Sequence, residues 1–455
     1  MSTFPSDLFA GRRYYVVGLG KNGLPAAHAL IGMGAVVEAW DDTPAARDKA
    51  VGLTLRDPQQ GDGFDYDSLV LSPGIPHRLP SAHPAAGRAE AAGVPIICDV
   101  ELLYQAVRAA GSRARFVGVT GTNGKSTTTA MLAHVLQAAG MRAEAGANLG
   151  PAALSLPLLP HDAVYVLEMS SYMLERIATV RFDAAAMLNL SFDHLDRHGD
   201  MAGYARAKRA IFDRQTAEDL AVVGIDDELS AAMADGLAGP QVVRVSGHRP
   251  ADIWCDEGVL RDKVGALMRM RDAAALPGAH NAQNAAAVAA MALFLGVGRK
   301  DVAEGMLSFP GLPHRQQTVA TVDGVTFIND SKATNADSAA RALGCHDRLI
   351  WIAGGMAKEG GIEPLAEYFP RIARTLLIGR DAPLLAETLA AHHAPFEIVE
   401  TLAAAVPAAF AAARAEAAPV VLLSPACASW DQFTGYDQRG DRFADLARAL
   451  AEGAA

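Results

Sequence analysis

The stretch FVGVTGTNGKSTTT, Phe116 to Thr129, has the residue types of a phosphate cradle. Backbone N–H groups at a helix start, glycines that allow close approach and one lysine together stabilise a polyphosphate. A strand precedes the loop in the hydrophobic pattern and a helix, STTTAMLAHVLQAAG, follows it to Gly140. In that setting Lys125 is placed to reach the β and γ phosphates and Ser126 to meet magnesium. The longer GxxxxGK[ST] pattern wants glycine at 119, where this chain has Val119, with Gly121 and Gly124 inside the loop.

Other polar clusters stand at the ends of expected strands. LEMSS puts Glu168 at a strand's C-terminal edge, where ligands sit in open α/β sheets. SFDHLDRHG brings His194 and nearby acids to another strand end, and YARAK sets Lys208 beyond it. A hard cation between phosphates takes oxygen donors, so Glu168 is the better metal candidate and His194 a nitrogen donor. HNAQN places Asn281 and Asn284 three residues apart on one helix face, suited to capping or to a nucleobase. LPHR offers Arg315, INDSKATN offers Asp330, Lys332 and Thr334, and AGGMAKEGG offers Lys358. Taken singly, each reads as an ordinary surface or structural residue; together they point to a cleft. Near the start, VVGLGKNG has GxGxxG at Gly18, Gly20 and Gly23, with Asp41 or Asp42 about twenty residues on. That turn grips any nucleotide diphosphate through backbone groups, so both a UDP site and an NAD-linked oxidoreductase remain open.

Short β-branched or aromatic runs alternate with alanine-rich helical segments, the pattern of parallel sheets with crossover helices. Three such series separate, the third beginning after FPGLPHR, a hinge-like segment around Pro310 to Arg315. With 455 residues, two or three domains are expected. The apolar share of 51% and charged share of 20% suit a globular protein. A formal net charge of -11 argues against coating nucleic acid. The four cysteines, Cys98, Cys255, Cys345 and Cys427, form no CxxC pair, so neither a zinc site nor a disulfide framework is suggested. No secretory leader is evident and no apolar run reaches the roughly 18 residues of a membrane helix. The expectation is a cytoplasmic protein without membrane insertion.

In combination, GTNGKSTTT, HLDRHG…YARAK, HNAQN and LPHR resemble the Mur ligases of bacterial peptidoglycan synthesis, and the likeness runs along nearly the whole chain. SPGIP at Ser72 to Pro76, NDSKATN and LLSPACASWDQF resemble the branch of that family that joins D-glutamate to UDP-N-acetylmuramoyl-L-alanine. The resemblance implies an α/β protein of three domains: a Rossmann-like UDP-binding domain over 1–106, a central P-loop ATPase with a parallel sheet over 107–311, and a Rossmann-like C-terminal domain over 312–455. It implies ATP, two magnesium ions and a carbamylated lysine at Lys208, whose amine must be neutral and desolvated to take up carbon dioxide. A monomer is expected.

Residue by residue, the likeness assigns ATP to Gly121, Thr122, Asn123, Gly124, Lys125, Ser126 and Thr127, with Asn281 and Asn284 near adenine, Arg315 at the γ phosphate and Asp330 near the ribose. Ser126, Glu168, His194 and Lys208 would arrange magnesium. Lys21, Asn22, Asp41, Asp42 and Gly74 would hold the uridine diphosphate, and Asn148 the reacting end of that substrate. Lys332, Thr334, Lys358, Ser429 and Tyr436 fall to the incoming glutamate. The chain departs from the family pattern at Met356 and Ala357, where an acidic-glycine pair precedes the lysine, and at Tyr436, where phenylalanine is expected. Competing readings are the same chemistry with L-glutamate, a UDP-sugar binding protein without catalysis, and the oxidoreductase.

Overall fold

The computed structural model describes residues 3–61, 63–278, 280–358 and 360–453. The alternation seen in the sequence becomes three sheets. In the first, the strand Arg13–Val17 lies between Val36–Trp40 and Ser68–Leu71, all parallel. Its side chains Tyr14, Tyr15, Val16 and Val17 are all buried, as a strand covered on both faces requires.

The second sheet opens with Arg115–Thr120, which pairs in parallel with Val164–Glu168 on one side and Ala184–Met187 on the other. Chain order reverses there, and the crevice beyond the strand ends is the ligand position of open α/β sheets. The parallel core continues through Leu220–Gly224 and Gln241–Ser246 to Ile253–Asp256, then adds two antiparallel strands, Val259–Asp262 and Ala266–Arg269. The sequence pattern announced only the parallel part. The alanine-rich helix His280–Phe294 is buried from Asn281 to Ala292, which is why its apolar spacing shows no polar face.

The third sheet has Val420–Leu423 between Val325–Asn329 and Leu349–Gly354, all parallel, with the antiparallel strand Gln317–Val322 at one edge. Trp351, Phe327 and Leu422 are fully buried at its centre. Two compact units result. One holds the first two sheets and the chain to Phe309; the other holds the third sheet from Pro310 and the short segment Ala273–Gly278.

Candidate functional site

In the first unit, the phosphate loop bridges the strand Arg115–Thr120 and the helix Lys125–Ala138. Gly124 caps that helix with φ at 83°, offering no side chain to the first turn. A Cβ at this position would run into Asn284 Oδ1, so only glycine lets the HNAQN helix approach the loop. Asn284 Nδ2 donates to Asn281 Oδ1 at 3.0 Å, and both residues are buried. The helix start thus brings an amide pair against the cradle. Lys125 Nζ curls over the loop, donating to the carbonyls of Gly121 and Thr122 at 2.9 and 2.8 Å.

Two residues the sequence reading passed over fix the loop. The Asn123 N–H donates to Asn189 Oδ1 at 2.8 Å, and the Asn189 amide returns a bond to the Asn123 carbonyl at 3.2 Å. Tyr204 OH lies 3.3 Å from Thr122 Oγ1. Asn189 stands just past a strand end, and Tyr204 precedes Lys208 by one helical turn; both positions carry a signal once that geometry is considered. Thr127 is half-buried in the first turn.

Lys208 is 1% exposed. Its Nζ donates to the Gly121 carbonyl at 2.8 Å and lies 3.4 Å from Thr120 Oγ1. Burial, reinforced by the charge of Lys125, holds its amine well below the ordinary lysine pKa. Glu168 ends the strand Val164–Glu168; Oε1 accepts from Asn148 Nδ2 at 2.5 Å, while Oε2 is buried without a partner. His194 sits in the left-handed region with φ at 52°, its Nδ1 2.8 Å from Tyr172 OH. Desolvation lowers its pKa, favouring the neutral ring that can donate a lone pair. Among the described residues no group of three or more His, Cys, Asp and Glu side chains forms a metal cage. One orphaned carboxylate oxygen beside a phosphate loop fits magnesium, which takes one or two protein ligands and completes its shell with phosphate and water.

The first sheet contributes the glycine turn. Asp41 Oδ2 accepts from the Leu19 N–H at 2.6 Å and braces that turn, while its Oδ1 accepts from the Thr43 N–H of its own loop at 2.8 Å. Asp42 is exposed, with His83 Nε2 3.2 Å from its Oδ2. Lys21 Nζ reaches the Asn148 carbonyl at 3.4 Å and Asn22 Nδ2 reaches Asp99 Oδ2 at 3.0 Å, which brings the turn to the Glu168 end of the second sheet. Gly74, exposed in SPGIP, sits on a loop gripped from the second sheet by the buried Arg176, which donates to the carbonyls of Leu71 at 2.8 Å, Ser72 at 2.9 Å and Ile75.

The second unit has its own convergence. Asp330, Lys332 and Thr334 follow the strand Val325–Asn329; Lys358 follows Leu349–Gly354; Ser429 follows Val420–Leu423. These three strands are adjacent and parallel, so their loops share one edge. Asp330 Oδ2 accepts from Ser424 Oγ at 2.7 Å and Oδ1 from the Gln316 N–H at 3.2 Å; burial pushes its pKa up to about 7. Met356 and Ala428 exchange backbone hydrogen bonds of 2.8 and 2.9 Å, and the Ala357 N–H donates to Asp381 Oδ2 at 2.8 Å. Backbone pairing therefore shapes the lysine loop where its side chains depart from the family pattern. Lys358 is exposed and Ser429 buried. Lys332 Nζ lies 5.1 Å from the centre of the Tyr436 ring. Arg315 is half-buried beside a Leu312–Arg315 bridge.

Residues 119–292 match the Mur ligase middle domain and residues 314–427 the Mur ligase glutamate ligase domain. A UDP-N-acetylmuramoylalanine--D-glutamate ligase of Paramagnetospirillum magneticum is 48% identical, over 98% of this chain and 99% of the relative. One from Rhodospirillum rubrum is 46% identical over 98% and 96%. One from Rhizobium meliloti is 44% identical over 98% of each. The fold is shared with UDP-N-acetylmuramate-alanine ligase MurC of Thermotoga maritima, with TM-score 0.62, 18% identity and coverage of 96% and 99%. MurF of Acinetobacter baumannii aligns with TM-score 0.58 at 20% identity, over 76% and 80%.

Proposed function

The chain belongs to the Mur ligase family, and from that premise we propose that it is the ATP-dependent ligase that joins D-glutamate to UDP-N-acetylmuramoyl-L-alanine in peptidoglycan precursor synthesis. The observation that carries the reading is the meeting of Lys125, Lys208, Glu168 and Asn148 around one phosphate loop at a reversal of strand order. A carboxylate oxygen is a poor leaving group. Transfer of the γ-phosphoryl group of ATP to the muramoyl-alanine carboxylate gives an acyl phosphate, and the D-glutamate amine then displaces phosphate through a tetrahedral intermediate.

In this reading Lys125 and the loop from Gly121 to Thr127 hold the triphosphate, with Asn281 and Asn284 toward adenine. Ser126, Glu168 and His194 would hold magnesium, expected as two ions, which neutralises phosphate charge when bound. Asn148 fixes the Glu168 carboxylate through its 2.5 Å bond and orients the reacting end of the substrate. A carbamate on Lys208 would carry a carboxylate to the same place. Lys21, Asn22, Asp42 and Gly74 hold the uridine diphosphate, with Asp41 bracing the turn beneath it. Arg315 serves the γ phosphate and Asp330 the ribose; Lys332, Thr334, Lys358, Ser429 and Tyr436 receive D-glutamate. Division at 106/107 and 311/312, a cytoplasmic monomer and no nucleic-acid partner complete the proposal. Among the described residues no helix is long and apolar enough to cross a membrane.

The oxidoreductase alternative is not supported. The acid that a dinucleotide site offers to ribose is, at Asp41, committed to two backbone N–H groups, and relatives matched over the full length are ligases. A phosphate-release assay with ATP, magnesium, bicarbonate and UDP-N-acetylmuramoyl-L-alanine tests the reading. Release dependent on D-glutamate is expected, and no release, or equal release with L-glutamate, would overturn it.

A further inference from the structure

Arg439 is 1% exposed in the final helix, Tyr436–Gly453, and has no carboxylate partner among its hydrogen bonds. Its guanidinium spends its donors on three separate loops. Nε donates to Ser331 Oγ at 3.0 Å and Nη2 to the Ser331 carbonyl at 2.9 Å. Nη1 donates to the Cys427 carbonyl at 3.1 Å and lies 3.4 Å from that of Gly354. Each of those residues sits just ahead of a candidate amino-acid ligand: Ser331 before Lys332 and Thr334, Gly354 before Lys358, and Cys427 before Ser429.

We infer that Arg439 is a positioning residue for the amino-acid subsite, setting the spacing of the three loops that receive the incoming dicarboxylate. The inference rests on the proposed function. Burying an arginine against neutral acceptors, one hydroxyl and three carbonyls, is costly: desolvation pushes its pKa down to about 10. A hydrophobic side chain would fill the same space at lower cost, but only a planar fork with five N–H donors reaches three backbones at fixed angles. The surroundings reinforce the fork. Ser331 Oγ donates to the Tyr436 carbonyl at 2.7 Å and Asn329 Nδ2 to the Gly440 carbonyl at 2.8 Å, so the helix start and the Ser331 loop are tied on both sides of the arginine. A Cβ on Gly355 would lie 3.3 Å from Arg439 Nη1, which leaves the lysine loop close packed on the guanidinium.

Arg439→Lys keeps the charge and the stem but cannot span three loops at once. Steady-state phosphate release by full-length Arg439→Lys, with each substrate varied in turn, should show KM for D-glutamate raised about tenfold or more. KM for UDP-N-acetylmuramoyl-L-alanine should stay within about threefold of the parent, and the thermal midpoint should remain near it. Guanidinium ion added to Arg439→Ala should restore part of the lost D-glutamate affinity. An unchanged D-glutamate KM in folded Arg439→Lys, or a uniform rise in all three KM values, would overturn the inference. So would failure of both variants to fold, which would make the arginine a structural staple only. A parent enzyme that gave no D-glutamate-dependent release would instead count against the function itself.

Discussion

Lys208 Nζ donates to the Gly121 carbonyl at 2.8 Å from a side chain 1% exposed to solvent. A buried lysine against the first glycine of a phosphate loop cannot serve as a diffuse surface charge. With Lys125 Nζ bonded to the same carbonyl at 2.9 Å, two ammonium groups share one acceptor, which disfavours charge on the more buried of them. A neutral amine there is the species that adds carbon dioxide. Activity is therefore expected to fall in buffers stripped of carbon dioxide and to return with bicarbonate. Lys208→Arg, which cannot be carbamylated, should be inactive under both conditions. Activity indifferent to bicarbonate would remove the carbamate from the mechanism.

The pair of Glu168 and Asn148 makes a second prediction. Asn148 occupies one carboxylate oxygen at 2.5 Å and so fixes where the other, orphaned oxygen sits. Residues that orient a metal-binding carboxylate are worth about 10 to 100-fold in metal affinity. Asn148→Ala should raise the magnesium concentration for half-maximal rate by about tenfold, and Glu168→Gln by more. Magnesium titrations of phosphate release superimposable on the parent's would show that the cation lies elsewhere.

Lys125 tests the cradle itself. A lysine aimed at a transferring phosphate stabilises charge that develops during transfer, an effect of about 10²- to 10³-fold for one lost electrostatic contact. Lys125→Ala should lose that much of kcat, while calorimetry with UDP-N-acetylmuramoyl-L-alanine shows unaltered affinity, because the Lys125 ammonium lies over the Gly121 and Thr122 carbonyls of the phosphate loop and the uridine diphosphate is assigned to the turn of the first sheet. Loss of both together would indicate a collapsed loop and not a missing charge.

Why some of this was readable in the sequence and some was not follows from how far apart the partners lie. The phosphate loop, its strand and its helix are contiguous from Arg115 to Ala138, so residue type and spacing are enough. The loops after Asn329, Gly354 and Leu423 could each be singled out by their polar residues, but their common edge depends on strand order, which residue spacing does not encode. Arg176 and Arg439 escaped notice because a lone arginine beside other charged residues, Glu175 before one and Asp437 and Asp441 around the other, reads as solvent-facing. Their burial is decided by backbone carbonyls contributed from elsewhere in the chain. Asn189 was missed for the same reason, its partner Asn123 being 66 positions away. The antiparallel strands from Val259 to Arg269 are short and partly exposed, so they lack the continuous apolar run that marks the buried parallel strands.

The last prediction concerns Asp330 and has a definite sign. Its carboxyl is raised to about 7 in the folded protein by burial, against an ordinary aspartate value of 3.8. Between those values the native state holds a proton that the unfolded chain has released, so the slope of stability with pH is negative there. The contribution is present below the ordinary carboxylate range and is lost as pH rises through about 7, amounting to at most roughly 4 kcal/mol. Asp330→Asn keeps the shape and cannot ionise. Hydrogen exchange across the strand Val325–Asn329, measured on the full-length chain, should show the variant's gain in protection over the parent to be clearly larger at pH 8 than at pH 5. The Ser424 hydroxyl, 2.7 Å from Asp330 Oδ2, still has an amide to meet, so the variant is not left with a buried orphan. A difference in protection that is the same at both pH values would show that Asp330 does not change its protonation on folding.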